Sequence, residues 1–212
     1  MLLIPSGRDS RRLTVVCYDV ANPRRAYRLR RALHAWRIDG QYSVVETWLS
    51  ARERIELCVE LAACLASDAD RLLFALPYCG VRETLRTGGW CLEQRDGPAN
   101  AALSLVVAQR AGNALLAYDV RDPERLLAVQ KRVTASTVAL QRSVYWRRGT
   151  WQAARTLAAR SAEFAQPGAD RFWLYPLASA ADLWFVVGGG PSVLPVRQGG
   201  WAPRAGLERL PA

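Results

Sequence analysis

Tyr18-Asp19-Val20-Ala21-Asn22-Pro23-Arg24-Arg25 returns as Tyr118-Asp119-Val120-Arg121-Asp122-Pro123-Glu124-Arg125, displaced by 100 residues. Without a gap, the same displacement pairs Gln41, Ser43 and Val44 with Gln141, Ser143 and Val144. It also pairs Asp70-Arg71 with Asp170-Arg171. Between 18 and 77 it gives 14 identities in 60 aligned positions. One tripeptide found twice would be chance; four ordered clusters in register mark a duplication. The chain reads as two copies of one domain.

Each copy carries the same element signals. Leu13 to Val20 is a continuous apolar run rich in Val and Tyr, which suits a buried strand. Asn22-Pro23 opens a helix, because proline is tolerated in a first helical turn. Tyr27, Leu29, Ala32, Leu33 and Trp36 then recur at helical spacing. Gln41 to Leu49 alternates as a strand, either one long strand or one that pairs with an edge. Ser50 with Glu53 forms a capping box for a helix over 51–66, and Arg71 to Leu76 is a strand again. The second copy repeats this order from Ala114 to Leu177, with Thr150 and Pro167 bracketing its second helix.

This order predicts an α+β chain of two ferredoxin-like, split βαβ domains in tandem. Helices cover one face of each sheet, so the other faces must cover each other, and the sheets are expected face to face. The first copy with its tail is assigned to 10–98 and the second with its tail to 113–212. A connecting segment, 99–112, lies between them. Leu103 to Ala108 within it reads as a further strand that could form a hairpin with 114–120 or add to an edge of the other copy. Gly88-Gly89, Asp96-Gly97-Pro98 and Asn100 are loop chemistry. Leu183 to Val187 is a strand candidate, Gly199-Gly200-Trp201 echoes Gly88-Gly89-Trp90, and the tails are expected to lock the copies together.

The 212 residues carry 29 basic and 19 acidic side chains, a net charge of +10, and Lys131 is the sole lysine. Arginine binds phosphate bidentately and stacks on bases, so a phosphate-rich partner is the first suspect. A genome that favours arginine codons explains the Arg/Lys ratio but not the net charge. Residues 113–212 carry 13 basic and 7 acidic residues against 12 and 9 in residues 1–77, so the second copy is the more basic. Apolar runs are too short to cross a bilayer, and Met1 to Arg12 does not read as a signal peptide. Five cysteines without a CxxC pair indicate neither a zinc knuckle nor a disulfide framework, and a reducing cytoplasm is expected. His34 is the single histidine, which excludes any mechanism that needs two.

Tyr18-Asp19-Val20, Asn22-Pro23-Arg24-Arg25, Gln41 to Glu46 and Arg71 to Pro77 together resemble the Cas2 family of CRISPR-associated proteins. Tyr118 to Val120, Asp122-Pro123, Gln141 to Tyr145 and Arg171 to Leu177 carry the likeness a second time, more thinly. The resemblance implies the small ferredoxin-like subunit of the spacer-acquisition complex. That family works as a homodimer with an aspartate from each protomer facing the other. This chain resembles such a dimer fused into one polypeptide, a monomeric pseudo-dimer of 23.5 kDa rather than a pair near 47 kDa. Glu46 and Tyr42 are replaced by Trp146 and Arg142, so its two faces are inequivalent.

Asp19 and Asp119 are the candidate catalytic and metal-binding residues. A carboxylate at a strand end could hold Mg²⁺ through one oxygen, with water completing the octahedron. The alternative is a helix N-cap, for which Asp before Asn-Pro is equally good chemistry. Arg24, Arg25, Arg28, Arg31, Arg142, Arg147 and Arg148 are the candidate nucleic-acid contacts. Trp36, Trp48, Trp146, Trp151 and Trp173 could stack on bases but read mainly as packing. Three functions follow. The first is a duplex-DNA-binding scaffold that bridges CRISPR integrase dimers. The second is a Mg²⁺-dependent endonuclease using Asp19 and Asp119. The third is an RNA-binding module on the same fold, disfavoured because the Gly-Phe/Tyr-Gly-Phe strand is missing.

Overall fold

The structure is a computed structural model and describes residues 11–66, 70–86, 89–95, 106–107, 110–187 and 192–195. The first copy comprises β1 (Arg12–Asp19), α1 (Pro23–His34), β2 (Arg37–Gln41), β3 (Val44–Leu49), α2 (Ala51–Ala62) and β4 (Arg71–Ala75). A hairpin of β5 (Val81–Arg86) and β6 (Gly89–Gln94) follows. The second copy comprises β7 (Asn113–Asp119), α3 (Pro123–Thr134), β8 (Val138–Gln141), β9 (Val144–Arg148), α4 (Trp151–Ala162) and β10 (Arg171–Leu177). A second hairpin, β11 (Leu183–Val187) and β12 (Ser192–Pro195), ends the described chain.

Within each copy the strand order is that of a split βαβ sheet, β4-β1-β3-β2 and β10-β7-β9-β8. β1 is central and buried on both faces, which explains its unbroken apolar run. Its Val16 and Tyr18 meet Leu29, Leu33, Leu57 and Leu61 of α1 and α2. Its Val15 and Cys17 meet Leu115, Ala117, Trp146 and Trp173 of the second copy. The second sheet repeats this, with Leu116 and Tyr118 packed on Val129, Val133 and Ala158. The result is four layers, helices outside and two sheets face to face inside. No helix among the described residues is long and apolar enough to cross a membrane.

The 41–49 stretch, expected as one long strand or one that pairs with an edge, is divided between two paired strands. Gln41 pairs with Val44 across a two-residue turn of Tyr42 and Ser43, and β2 runs back along β3. Gly40 makes this possible, because a Cβ there would lie 2.5 Å from the Val44 carbonyl oxygen. The capping box at Ser50 and Glu53 is present, and Thr150 caps α4. The helix expected over 51–66 ends at Ala62.

The tails cross over. β5 follows the first copy but pairs with β10, placing Thr84 opposite Trp173. β11 follows the second copy but pairs with β4, placing Phe185 opposite Leu73. Each copy thus completes the other's sheet. The exchanged strand is not the one expected at 103–108. Of that stretch, Val106 and Val107 are described, both are helical, and Val107 is buried against the second copy. Gly89, expected in a loop, begins β6, whereas Gly88, residues 96–100 and residues 199–201 lie outside the described residues.

The two halves of the inter-sheet space differ in chemistry. Strand pairing makes Arg82, Glu83 and Thr84 of β5 equivalent to Leu183, Trp184 and Phe185 of β11. On the β11 side the space is apolar. On the β5 side it holds Glu46, fully buried, which accepts hydrogen bonds from Arg82 (3.0 Å), Arg95 (3.1 Å) and the Tyr175 hydroxyl (3.0 Å). Arg82 also pairs with Glu93 and Asp39, and its guanidinium lies 4.3 Å from the centre of the Trp173 ring. Trp146, which stands where Glu46 stands in the first copy, instead donates its indole N–H to Asn113. The predicted inequivalence of the two faces is therefore built into the core.

Asp70 and Asp170 each tie the start of the last strand to the first helix. Arg25 donates to both Asp70 oxygens (2.7 and 3.2 Å), and Arg125 donates to Asp170 (3.1 Å). Burial raises the Asp70 carboxyl pKa, but Arg25 and the backbone N–H groups of Ala66 and Ala21 overcome it and hold it below its ordinary value. Burial likewise opposes the lowering of Asp170, and the N–H of Gln166, with Arg125 and the N–H of Arg121, prevails. Glu53 is lowered to about 2, by Arg11 and the Ser50 N–H. Folding depresses these pKa values, so the stabilisation is in place above the unfolded carboxylate range and is lost as pH falls through it. Glu46 and Glu83, both raised by burial, act in the opposite sense. Urea midpoints are expected to drop between about pH 5 and pH 2. Asp70→Asn with Asp170→Asn should flatten that drop; an unchanged slope would refute the assignment.

Candidate nucleic-acid interface and central cleft

Asp19 and Asp119 end the two central strands. The N–H of Tyr18 donates to the Ser43 carbonyl (3.0 Å) and that of Tyr118 to the Ser143 carbonyl (3.1 Å). Each aspartate therefore sits beside the β-turn of its own copy. Both line a single cleft of about 400 Å³ between the copies, together with Gln41, Ser43, Gln141 and Ser143. The helix-cap alternative fails: Asn22 caps α1 by accepting from the N–H groups of Arg24 and Arg25, and Asp122 caps α3. The cap falls three residues later because proline takes the first helical position.

Gln41 and Gln141 are 4% and 3% exposed, and neither carboxamide has a hydrogen-bond partner among the described residues. On the helix side of the first sheet the Tyr18 hydroxyl donates to the Tyr42 carbonyl (2.7 Å). Two carboxylates and two unpartnered carboxamides make an oxygen-rich cleft, the donor type that a hard cation prefers. Among the described residues no group of three or more His, Cys, Asp or Glu could chelate an ion. Arg30 and Arg142 stand at the cleft.

The predicted arginines divide into two groups. Arg24, Arg28 and Arg31 lie exposed along α1, and among the described residues none pairs with an acid. Arg142 and Arg148 are exposed as well. Arg25 is engaged with Asp70, and Arg147 donates to the carbonyl and hydroxyl of Ser136 (3.1 and 2.9 Å). Gly149, with a φ of +124°, turns the chain after Arg148 into the Thr150 cap. Of the tryptophans, Trp146, Trp151 and Trp173 are core, and Trp48 is exposed.

Residue-type reasoning passed over Gln41, Gln141, Tyr27 and Tyr42 as site residues. The Gln-x-Ser-Val signal was visible in both copies as an identity. That its two glutamines would share one cleft depends on how the copies pack.

A family model described as CRISPR associated protein Cas2 matches residues 12–79 and again residues 113–182. A protein named CRISPR-associated endoribonuclease Cas2 2, from Nitrosomonas europaea, is 38% identical over 63 residues. That stretch covers 30% of this chain and 56% of the relative.

Proposed function

This chain belongs to the Cas2 family of CRISPR-associated proteins, twice over, and from that premise we propose that it is a nucleic-acid-binding scaffold of CRISPR spacer acquisition. It lies under duplex DNA and bridges two integrase dimers. One observation carries this reading: Arg24, Arg28, Arg31, Arg142 and Arg148 are exposed, and among the described residues they pair with no acid, on a chain of net charge +10. Other exposed arginines of the chain are engaged by acids, as Arg11 is with Glu53 and Arg52 with Glu56. Exposed guanidinium groups without acids are available to phosphate.

Duplex affinity is expected to be insensitive to base sequence and steeply sensitive to salt. With about six phosphates neutralised, log K against log salt should fall with a slope of about −5. Arg142→Ala with Arg148→Ala should weaken binding by about 1–3 kcal/mol. Arg147→Ala should matter less, since its guanidinium is already held by Ser136. A flat salt dependence would overturn the reading. Co-purification with the integrase and a spacer-integration assay test the bridging role.

A second reading, a Mg²⁺-dependent endonuclease, is favoured by the meeting of Asp19 and Asp119 in one oxygen-rich cleft. Asp19 and Asp119 would hold the ion, which would activate water or neutralise a scissile phosphate. The two readings separate in Asp19→Asn with Asp119→Asn, which keeps size and removes charge. DNA binding and integration are expected to survive while any Mg²⁺-dependent cleavage disappears. Loss of integration in this variant, with normal binding by the arginine variant, would make catalysis the function.

A further inference from the structure

We propose that the first copy alone carries a stacking site for unpaired nucleotides, formed by Tyr27 and Tyr42 among the arginines of α1, so that the chain holds a partly single-stranded nucleic acid in one orientation. The inference rests on the nucleic-acid-binding reading above.

Tyr27 is 60% exposed and Tyr42 is 73% exposed, more than an aromatic ring needs to be for packing alone. Pro23 borders both the depression that holds Tyr27, with Arg24 and Arg28, and the central cleft, with Tyr42 and Arg30. The rings thus flank the start of one helix. The Arg30 guanidinium lies 5.7 Å from the centre of the Tyr42 ring. That contact steadies the ring, and most of its surface still meets solvent. Aromatic rings set among arginines bind single strands, because every base has a face to stack and every linkage has a phosphate to pair.

The second copy is the internal control. At the positions of Arg24, Tyr27, Arg28 and Tyr42 it has Glu124, Leu127, Ala128 and Arg142. Where Arg30 covers Tyr42, Gln130 donates instead to the Arg142 carbonyl (3.3 Å). Arg142 can still grip a phosphate, but no ring is left to stack. The same backbone therefore presents Arg142 beside the exposed Leu127, with no ring at these positions, at one end and an aromatic surface at the other.

The test compares one duplex, blunt or extended by a single-stranded DNA tail of about ten nucleotides, by fluorescence anisotropy. The full chain should bind the tailed duplex about tenfold more tightly, the weight of one stacked base. Tyr27→Leu with Tyr42→Ala should abolish that gain and leave blunt-duplex binding within about twofold, since no phosphate contact is lost. Tyr27→Phe with Tyr42→Phe should keep the gain. Equal affinity of the unmodified chain for both DNAs, or a gain that survives in the Leu/Ala variant, overturns the proposal. If neither DNA binds, the nucleic-acid reading itself falls and takes this one with it. An independent measurement uses the unmodified protein. A tail carrying 5-iodouracil should crosslink to Tyr27 or Tyr42, and crosslinks confined to the second copy would refute the orientation.

Discussion

Arg82→Met is expected to destabilise the protein by about 3–5 kcal/mol, the cost of removing one partner from a buried ion cluster. Arg82 is 4% exposed and touches Glu46, Glu93 and Asp39 at once. Burial works against its charge, yet these carboxylates hold its pKa above the ordinary arginine value. Without it, Glu46 remains fully buried beside Arg95 alone, and Glu93 and Asp39 lose their shared donor. Glu46→Gln in the Arg82→Met background should recover part of the loss, because a neutral amide can still accept from Tyr175 and Arg95. Urea denaturation of the single and double variants measures both steps. A loss below about 1 kcal/mol would mean the cluster behaves as a surface ion pair, and the asymmetric core would need another account.

Truncation after Asp182 should do more, leaving no stable monomer. It removes Leu183, Phe185 and Val186, each at most 4% exposed, and Trp184, whose ring stacks on Phe74 with centroids 5.8 Å apart. Burying an apolar side chain of this size contributes about 1.5–3 kcal/mol, and small domains have only about 5–15 kcal/mol in total. The truncation also exposes the β4 edge, a template for pairing with other chains. Circular dichroism and light scattering should find loss of the cooperative transition together with aggregation. A monomer that melts at the temperature of the full chain would refute the view that the exchanged tail completes the first sheet. Phe185→Ala is the milder control, expected to cost about 3–5 kcal/mol.

Much of this molecule follows from local pattern. The continuous apolar run of β1, the helical spacing in α1, the Ser50 capping box and the Asn-Pro and Asp-Pro helix starts are interactions between near neighbours. They hold whatever the rest of the chain does. The duplication is equally local to read, because it is a comparison of the sequence with itself. From these came the tandem ferredoxin-like fold and the equivalence of Asp19 and Asp119; that the two would face each other was implied by the family resemblance. The replacement of Glu46 by Trp146 was legible as an inequivalence, without its consequence. Which group caps the helix was decided by proline at the first helical position, which puts the cap at Asn22 and Asp122, three residues beyond Asp19 and Asp119.

Packing between the copies decided the rest. Whether residues 81–86 pair with residues 71–75 or with residues 171–177 is a choice between two edges of like composition, and no short-range signal distinguishes them. The choice is made by the inter-sheet space, where Arg82 finds Glu46, Asp39 and Tyr175 from elements far apart in the chain. The fate of individual arginines is settled in the same way. Arg25 and Arg24 are adjacent and chemically identical, but the helix turns Arg25 toward the buried Asp70 and Arg24 toward solvent. Sequence fixes the charge, the copies and their elements; only the tertiary structure decides which charges are neutralised inside and which remain outside for a partner, because burial and pairing are properties of residues brought together from across the chain.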